Sequence, residues 1–298
     1  MRRVLLYLAL VLVPLAVFAA MVLVDRQFGG PGRGYDYVVS VDLPPAEGIV
    51  GLPKIEGPLD STRPLVVIDP GHGGKDPGAG AGAIKEKELT LAIARALRDE
   101  LLKGGGVRVA LTRGDDRYLF LGERSSIARR LGADLFISIH ADSSQEVSTG
   151  AAGATIYTLS EKGSSEVAER MAARENAADM IDGVRLAAQD DAVGAILVDL
   201  SQRETQARSE QFAGLLFREG RGELPFKVSE NQSAAFAVLK APDVPSVLFE
   251  SGYINNPDDA ARLGSPGGRQ TIAEVTARAI RAHFARTAPI ARTAGFHY

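Results

Sequence analysis

Residues 65–74 read LVVIDPGHGG. Four apolar residues, three of them β-branched, run straight into Asp69-Pro70-Gly71, and a glycine-flanked histidine follows. A continuous apolar run of this length, closed by turn residues, reads as a strand buried on both faces. The pattern recurs at Val107–Leu111, Leu135–Ile139, Thr155–Leu159, Phe236–Leu239 and Val247–Phe249. Between most of these runs the period is helical. The clearest helix is Lys87–Leu102, where Leu89, Ile93, Leu97 and Leu101 form one stripe and Gly104–Gly106 ends it. Further helices are expected near Leu121–Leu131, Ser165–Met180, Leu200–Leu216 and Thr271–Phe284. Alternating strands and helices predict an α/β fold: a mostly parallel, twisted sheet of about six strands with helices on both faces.

Three of these strands lead into chemistry. Leu65–Ile68 runs into the His72 loop, Leu135–Ile139 into His140, and Val247–Phe249 into Glu250. Ligands of open α/β sheets bind outside the carboxyl ends of the strands, so parallel strands gather these groups at one edge. Gly73 and Gly74 exceed what the turn after Asp69 requires and suit a backbone that passes close to a ligand. In KEKEL (85–89), Glu86 lies three residues before Leu89 and seven before Ile93, on the core side of the helix. Glu88 shares its side with Arg95 and Asp99 and reads as a solvated charge.

His72, Glu86 and His140 with a fourth position open form the pattern of a catalytic zinc site, whose bound water has a pKa near 7. The chain has no cysteine, so any metal site must be built from histidine and carboxylate. Glu250 is placed to take the proton of that water and deliver it to a leaving group. His283, beside Arg281, is expected on a surface helix, and His297 in a fraying tail.

Charged residues make up 24% of the 298-residue chain and its formal net charge is -3, which gives no electrostatic footprint for nucleic acid. Arg2 and Arg3 precede an uncharged apolar run from Val4 to Val24. The run matches the ~20 residues that span a bilayer, so a membrane anchor is the leading reading. A cleaved signal peptide is the alternative, since Ala19-Ala20 supplies small residues and Pro14 interrupts the run. Both place the bulk of the chain outside the inner membrane. The expected organisation is an anchor or signal over 1–25, a Gly/Pro-rich linker over 26–63, a catalytic domain over 64–286 and a tail over 287–298.

Together DPGHGG (69–74), EKEL (86–89), LTR (111–113), ADLFISIHAD (133–142) and FESGYINNP (249–257) resemble, in order and spacing, the zinc-dependent N-acetylmuramoyl-L-alanine amidases of bacterial cell walls. The resemblance implies one zinc held by His72, Glu86 and His140, with Glu250 as the catalytic glutamate. It also implies hydrolysis, in the periplasm or envelope, of the amide joining the lactyl group of N-acetylmuramic acid to L-alanine of peptidoglycan. Residues 159–223, polar and mainly helical, resemble the insertion of cell-division amidases, in which a helix covers the zinc until an activator protein displaces it. Ser165–Asp191 is the expected plug. Other readings at this point are a zinc peptidase or deacetylase acting on another amide, and an inactive wall-binding scaffold.

Overall fold

The computed structural model describes residues 51–287 except 82–83, 144–150, 182–183, 186–194 and 229, together with Val13. The apolar run 4–24, Val13 apart, most of the linker and the tail with His297 lie outside the described residues. Among the described residues no helix is long and apolar enough to cross a membrane.

The strands are β1 (Leu65–Pro70), β2 (Gly80–Ala81), β3 (Ile84–Lys85), β4 (Arg108–Leu111), β5 (Leu135–Asp142), β6 (Thr155–Leu159), β7 (Met180–Ile181), β8 (Val184–Arg185), β9 (Gln232–Ala234) and β10 (Ser246–Tyr253). The α-helices are α1 (Glu86–Gly104), α2 (Leu121–Arg130), α3 (Glu166–Asn176), α4 (Ala195–Gly220), α5 (Pro257–Gly264) and α6 (Pro266–Thr287). Six strands form the main sheet in the order β4-β1-β5-β10-β6-β9. Neighbours are parallel except β10 and β6, which run antiparallel. The expected fold class is therefore the one observed.

Side-chain alternation divides the sheet into two cores. Val66, Ile68, Val109, Ile137, Ile139 and Phe249 face α1, α4 and α6. Leu65, Val67, Ala110, Phe136 and Leu248 face α2, α3 and the 3₁₀ turn at Ala237–Leu239. Ser138, His140 and Asp142 continue the second set along β5. His140 is the register partner of Glu250 on β10, so the two side chains share a face.

Several expectations change. The run Phe236–Leu239 is not a strand; the sixth strand is Gln232–Ala234, and Ala237–Leu239 forms a 3₁₀ turn. Asn176 imposes that turn, its amide donating to Ala235 O at 2.8 Å while its carbonyl accepts from Ala237 N at 2.7 Å. Strands β5 and β10 run past the end of their apolar cores, so His140 and Glu250 lie within strands rather than beyond them. The loop after Glu250 contains a further helix, α5, capped by Asn256 with Pro257 in its first turn. His283 is buried, not on a surface: its ring meets Phe212 of α4 edge-on at 5.5 Å, because α6 packs this side against α4. The chain also joins the body before residue 64, Glu56 exchanging two backbone hydrogen bonds with Val109 on edge strand β4.

Asp69, at the end of β1, accepts from Thr112 Oγ1 (2.5 Å), Arg124 Nη1 (2.9 Å) and Ser138 Oγ (2.8 Å) with no solvent exposure. Burial alone would raise its pKa; the Arg124 guanidinium and the two hydroxyls outweigh that and hold it below the ordinary carboxylate range. Asp69→Asn leaves Arg124 buried without its partner and is expected to cost about 3–5 kcal/mol, read from the urea midpoint. Because the folded pKa is depressed, the pair stabilises fully above about pH 4 and its contribution is lost as pH falls below that. The Asn variant therefore loses less stability than the parent between pH 5 and pH 3.

Candidate metal centre

The loop after β1 is clamped by two arginines with almost no exposed surface. Arg113 donates to Pro70 O, Gly71 O and Lys87 O at 2.8–2.9 Å. Arg124 donates to Pro70 O and His72 O, each at 2.9 Å. Burial lowers the Arg113 pKa to about 10, with Arg124 adding to the effect. His72 is held at φ 60, the one non-glycine residue with positive φ among the described residues. A side chain on such backbone is strained by ~1–3 kcal/mol, and the two guanidinium groups fix it there.

In this conformation His72 Nδ1 meets Asp76 Oδ2 at 2.8 Å, leaving Nε2 to face inward. Nε2 lies 3.1 Å from Glu86 Oε2, and His140 Nδ1 lies 3.2 Å from Glu86 Oε1. Glu86 sits in the first turn of α1, 1% exposed, and is fixed by Ala79 N (2.8 Å) and Ala141 N (2.9 Å). Glu88 is exposed. A fourth group comes from α3: Glu175 Oε2 lies 3.4 Å from His72 Nε2 and 3.3 Å from His140 Nδ1.

These spacings are informative. Ligands at 2.0–2.1 Å from a tetrahedral ion stand roughly 3.3–3.4 Å from one another. His72 Nε2 is buried and makes no hydrogen bond of good geometry, although two carboxylates stand within 3.4 Å. His72 Nε2 faces the cluster without a bond of its own, while His140 Nδ1 meets Glu86 Oε1 in a 3.2 Å hydrogen bond. His72, Glu86 and His140 thus form a two-nitrogen, one-oxygen set that fits zinc, with Asp76 orienting His72 from behind. Burial disfavours the charge on Glu86, and the two histidines overcome it, holding the carboxyl at about 2. The carboxylates in turn raise both histidines against burial, His140 to about 10. The pocket favours positive charge.

Glu250 has no exposed surface, and neither carboxyl oxygen has a hydrogen-bond partner. One oxygen lies within 4.8 Å of ligand atoms of His140 and Glu175. Burial pushes its pKa well up; His140 opposes this, while Asp142, Glu86 and Glu175 reinforce it. An unpartnered buried carboxyl at a polar cluster is suited to exchanging a proton.

Helix α3 starts at Ser165, whose hydroxyl accepts from Ala168 N at 3.2 Å. It presents a narrow apolar face, Ala168, Met171 and Ala172, to the sheet. Beside Glu175, Arg174 pairs with Asp142 and donates to Ser143 O at 3.0 Å.

The structure brings His72, Glu86, His140 and Glu250 together, as their strand and helix positions predict. Sequence reasoning did not single out Asp76, Arg113, Arg124 or Glu175. The first three leave faint signals in DPGHGGKD, LTR and the start of α2. Glu175 is one of several acids in a polar segment, and only docking distinguishes it.

The family profile described as N-acetylmuramoyl-L-alanine amidase matches residues 66–282. The N-acetylmuramoyl-L-alanine amidase AmiA of Escherichia coli K12 is 39% identical over 222 residues, 74% of this chain and 76% of that protein. AmiC of Escherichia coli O6:H1 is 38% identical over 241 residues, 79% of this chain and 57% of that protein. The solved structure of AmiC2 from Nostoc punctiforme is 27% identical with a TM-score of 0.51, over 75% of this chain and 98% of that one. The CwlD amidase of Clostridioides difficile, solved in complex with the GerS lipoprotein, shares the fold at 20% identity and a TM-score of 0.52, over 75% and 99%. The chain belongs to the N-acetylmuramoyl-L-alanine amidases and hydrolyses the amide that joins N-acetylmuramic acid to L-alanine of the peptidoglycan stem peptide.

Proposed function

We propose that this amidase is a zinc enzyme held closed by its own insertion. His72, Glu86 and His140 hold the metal, and Glu250 moves the proton. When bound, zinc supplies a Lewis acid that lowers the pKa of water and polarises a carbonyl oxygen. Glu86, tied by two backbone N–H groups, keeps its carboxylate fixed between the histidines. Glu250 accepts the proton of the attacking water on a carboxyl oxygen and passes it to the departing nitrogen of L-alanine. Its neighbours Ser251 and Tyr253 are anchored, the former by a 2.7 Å hydrogen bond to His140 O, so the carboxyl stays in register with the ligand on β5.

The plug reading rests on one observation: the Glu175 carboxylate fills the place a fourth ligand or a water would take, 3.3–3.4 Å from both histidines. In that place it excludes substrate. The plug spans Ser165–Asp191, of which 165–181 and 184–185 are described. We infer that an activator protein draws it away; an amidase of the same fold has been solved with a lipoprotein bound. Export to the envelope, tethered at the inner membrane by residues 4–24, and a role in wall remodelling or daughter-cell separation complete the reading.

Glu250→Ala is expected to lower hydrolysis of purified peptidoglycan by roughly 10²–10⁴-fold while the protein still binds one equivalent of zinc in a metal titration. His140→Ala is expected to lose the metal itself. Retention of most activity by Glu250→Ala overturns the proton-transfer role. For the plug, full-length Glu175→Ala and Arg174→Ala/Glu175→Ala are compared with the parent on peptidoglycan. Both are expected to release stem peptides faster, the double variant most, and equal rates in all three reject the plug.

A further inference from the structure

One part of the plug's docking is unexplained by closure at the metal. Beyond α3 the chain makes a 3₁₀ turn, Ala177–Asp179, and the Asp179 carboxylate docks on the core domain. It accepts from Leu121 N at 3.0–3.1 Å, in the first turn of the ten-residue helix α2, and lies 3.0 Å from Tyr118 Oη, whose one proton it shares with Ala178 O at 2.9 Å. Lys75 stands over the same tyrosine, its Nζ 4.5 Å from the Tyr118 ring centre and 5.9 Å from that of Phe120. The Lys75 ammonium has no carboxylate partner among the described residues. The arrangement is built to hold a carboxylate: an N–H at a helix start, a hydroxyl donor and an uncommitted cation.

This pocket adjoins the metal centre. A side-chain carbon on Gly74, two residues after His72, would stand 2.7 Å from Tyr118 N, so the His72 loop lies directly against the segment that carries the tyrosine. The plug gives the spacing along a chain. From Glu175 to Asp179 is four residues of helix, a rise of about 6–8 Å. Two residues of extended peptide span about 7 Å. A stem peptide whose scissile amide is at the metal, and whose residue after L-alanine has a free carboxylate, would carry that carboxylate a similar length away.

We propose that Leu121 N–H, Tyr118 Oη and Lys75 Nζ form a subsite for a free carboxylate of the stem peptide, and that Asp179 occupies it in place of substrate while the plug is closed. The subsite rests on the plug reading, for it is open only when α3 has left. It selects substrate by charge: a stem peptide with that carboxylate binds, and one with a carboxamide in its place loses the charge that Lys75 and the helix start favour.

The test uses full-length, zinc-loaded protein carrying Glu175→Ala. Two soluble muramoyl peptides are compared, identical but for a free carboxylate or a carboxamide on the residue after L-alanine. The carboxamide is expected to raise KM about tenfold with kcat little changed. Lys75→Gln, at an exposed position, and Tyr118→Phe in the same background are each expected to raise KM for the carboxylate substrate and to narrow the difference between the two. Equal KM values for both substrates in the Glu175→Ala protein, or an undiminished preference in both variants, overturn the subsite. Failure of the plug reading registers separately: Glu175→Ala then matches the parent rate, and the same substrate comparison is made on the parent.

Discussion

Two buried guanidinium groups determine the rest of the site. Arg113 and Arg124 take up the carbonyls of Pro70, Gly71 and His72, and Asp69 neutralises the second arginine from below. With Asp76 on Nδ1, they hold His72 in the left-handed conformation that places Nε2 against Glu86. Much of the charge in the clamp is answered by backbone dipoles rather than carboxylates, so the loop is fixed by geometry as well as by attraction. The clamp also couples distant parts of the sequence. β1, the turn after β4 and helix α2 must all be in place before the first histidine is.

The same economy governs the other candidate ligands. Glu86 lies at the start of α1, where two backbone N–H groups pin its oxygens, and His140 lies on the central strand β5 between β1 and β10. Rigid elements carry the three candidate metal ligands, and the unpartnered Glu250 sits one strand away in register. Only Glu175 arrives on a helix with a thin apolar face. The contrast lies in the supporting elements: strand, clamped loop and first-turn positions for His140, His72 and Glu86, and for Glu175 a helix that meets the sheet through Ala168, Met171 and Ala172.

Much of this was legible in the chain. The apolar runs located five of the six sheet strands, and the stripe on α1 separated buried Glu86 from exposed Glu88. The failures have physical causes. Phe236–Leu239 is apolar enough for a strand, but burial can be met by a 3₁₀ turn once Asn176 supplies hydrogen bonds at its start, and that partner is 59 and 61 residues from the two groups it bonds. His283 beside Arg281 looked solvated because helix α6 is buried on a wide face that polar neighbours disguise. Arg113 and Arg124 resemble surface charges in sequence, since their partners, loop carbonyls and for Arg124 also Asp69, stand as far off as 43 and 55 residues, on a loop that local pattern does not reveal. The role of Glu175 depends on how a polar helix docks, which no periodicity encodes.

The narrow face of α3 carries a thermodynamic consequence. Heat-capacity change follows the apolar area exposed, and Ala168, Met171 and Ala172 would expose little were the helix to leave as proposed, while its ionic contacts would be exchanged for hydration. If the helix leaves as proposed, the enthalpy of that step changes little with temperature. Under the proposed plug, the balance of shut and open enzyme would then follow a nearly straight van't Hoff line, its slope set by the exchange of ionic contacts for hydration.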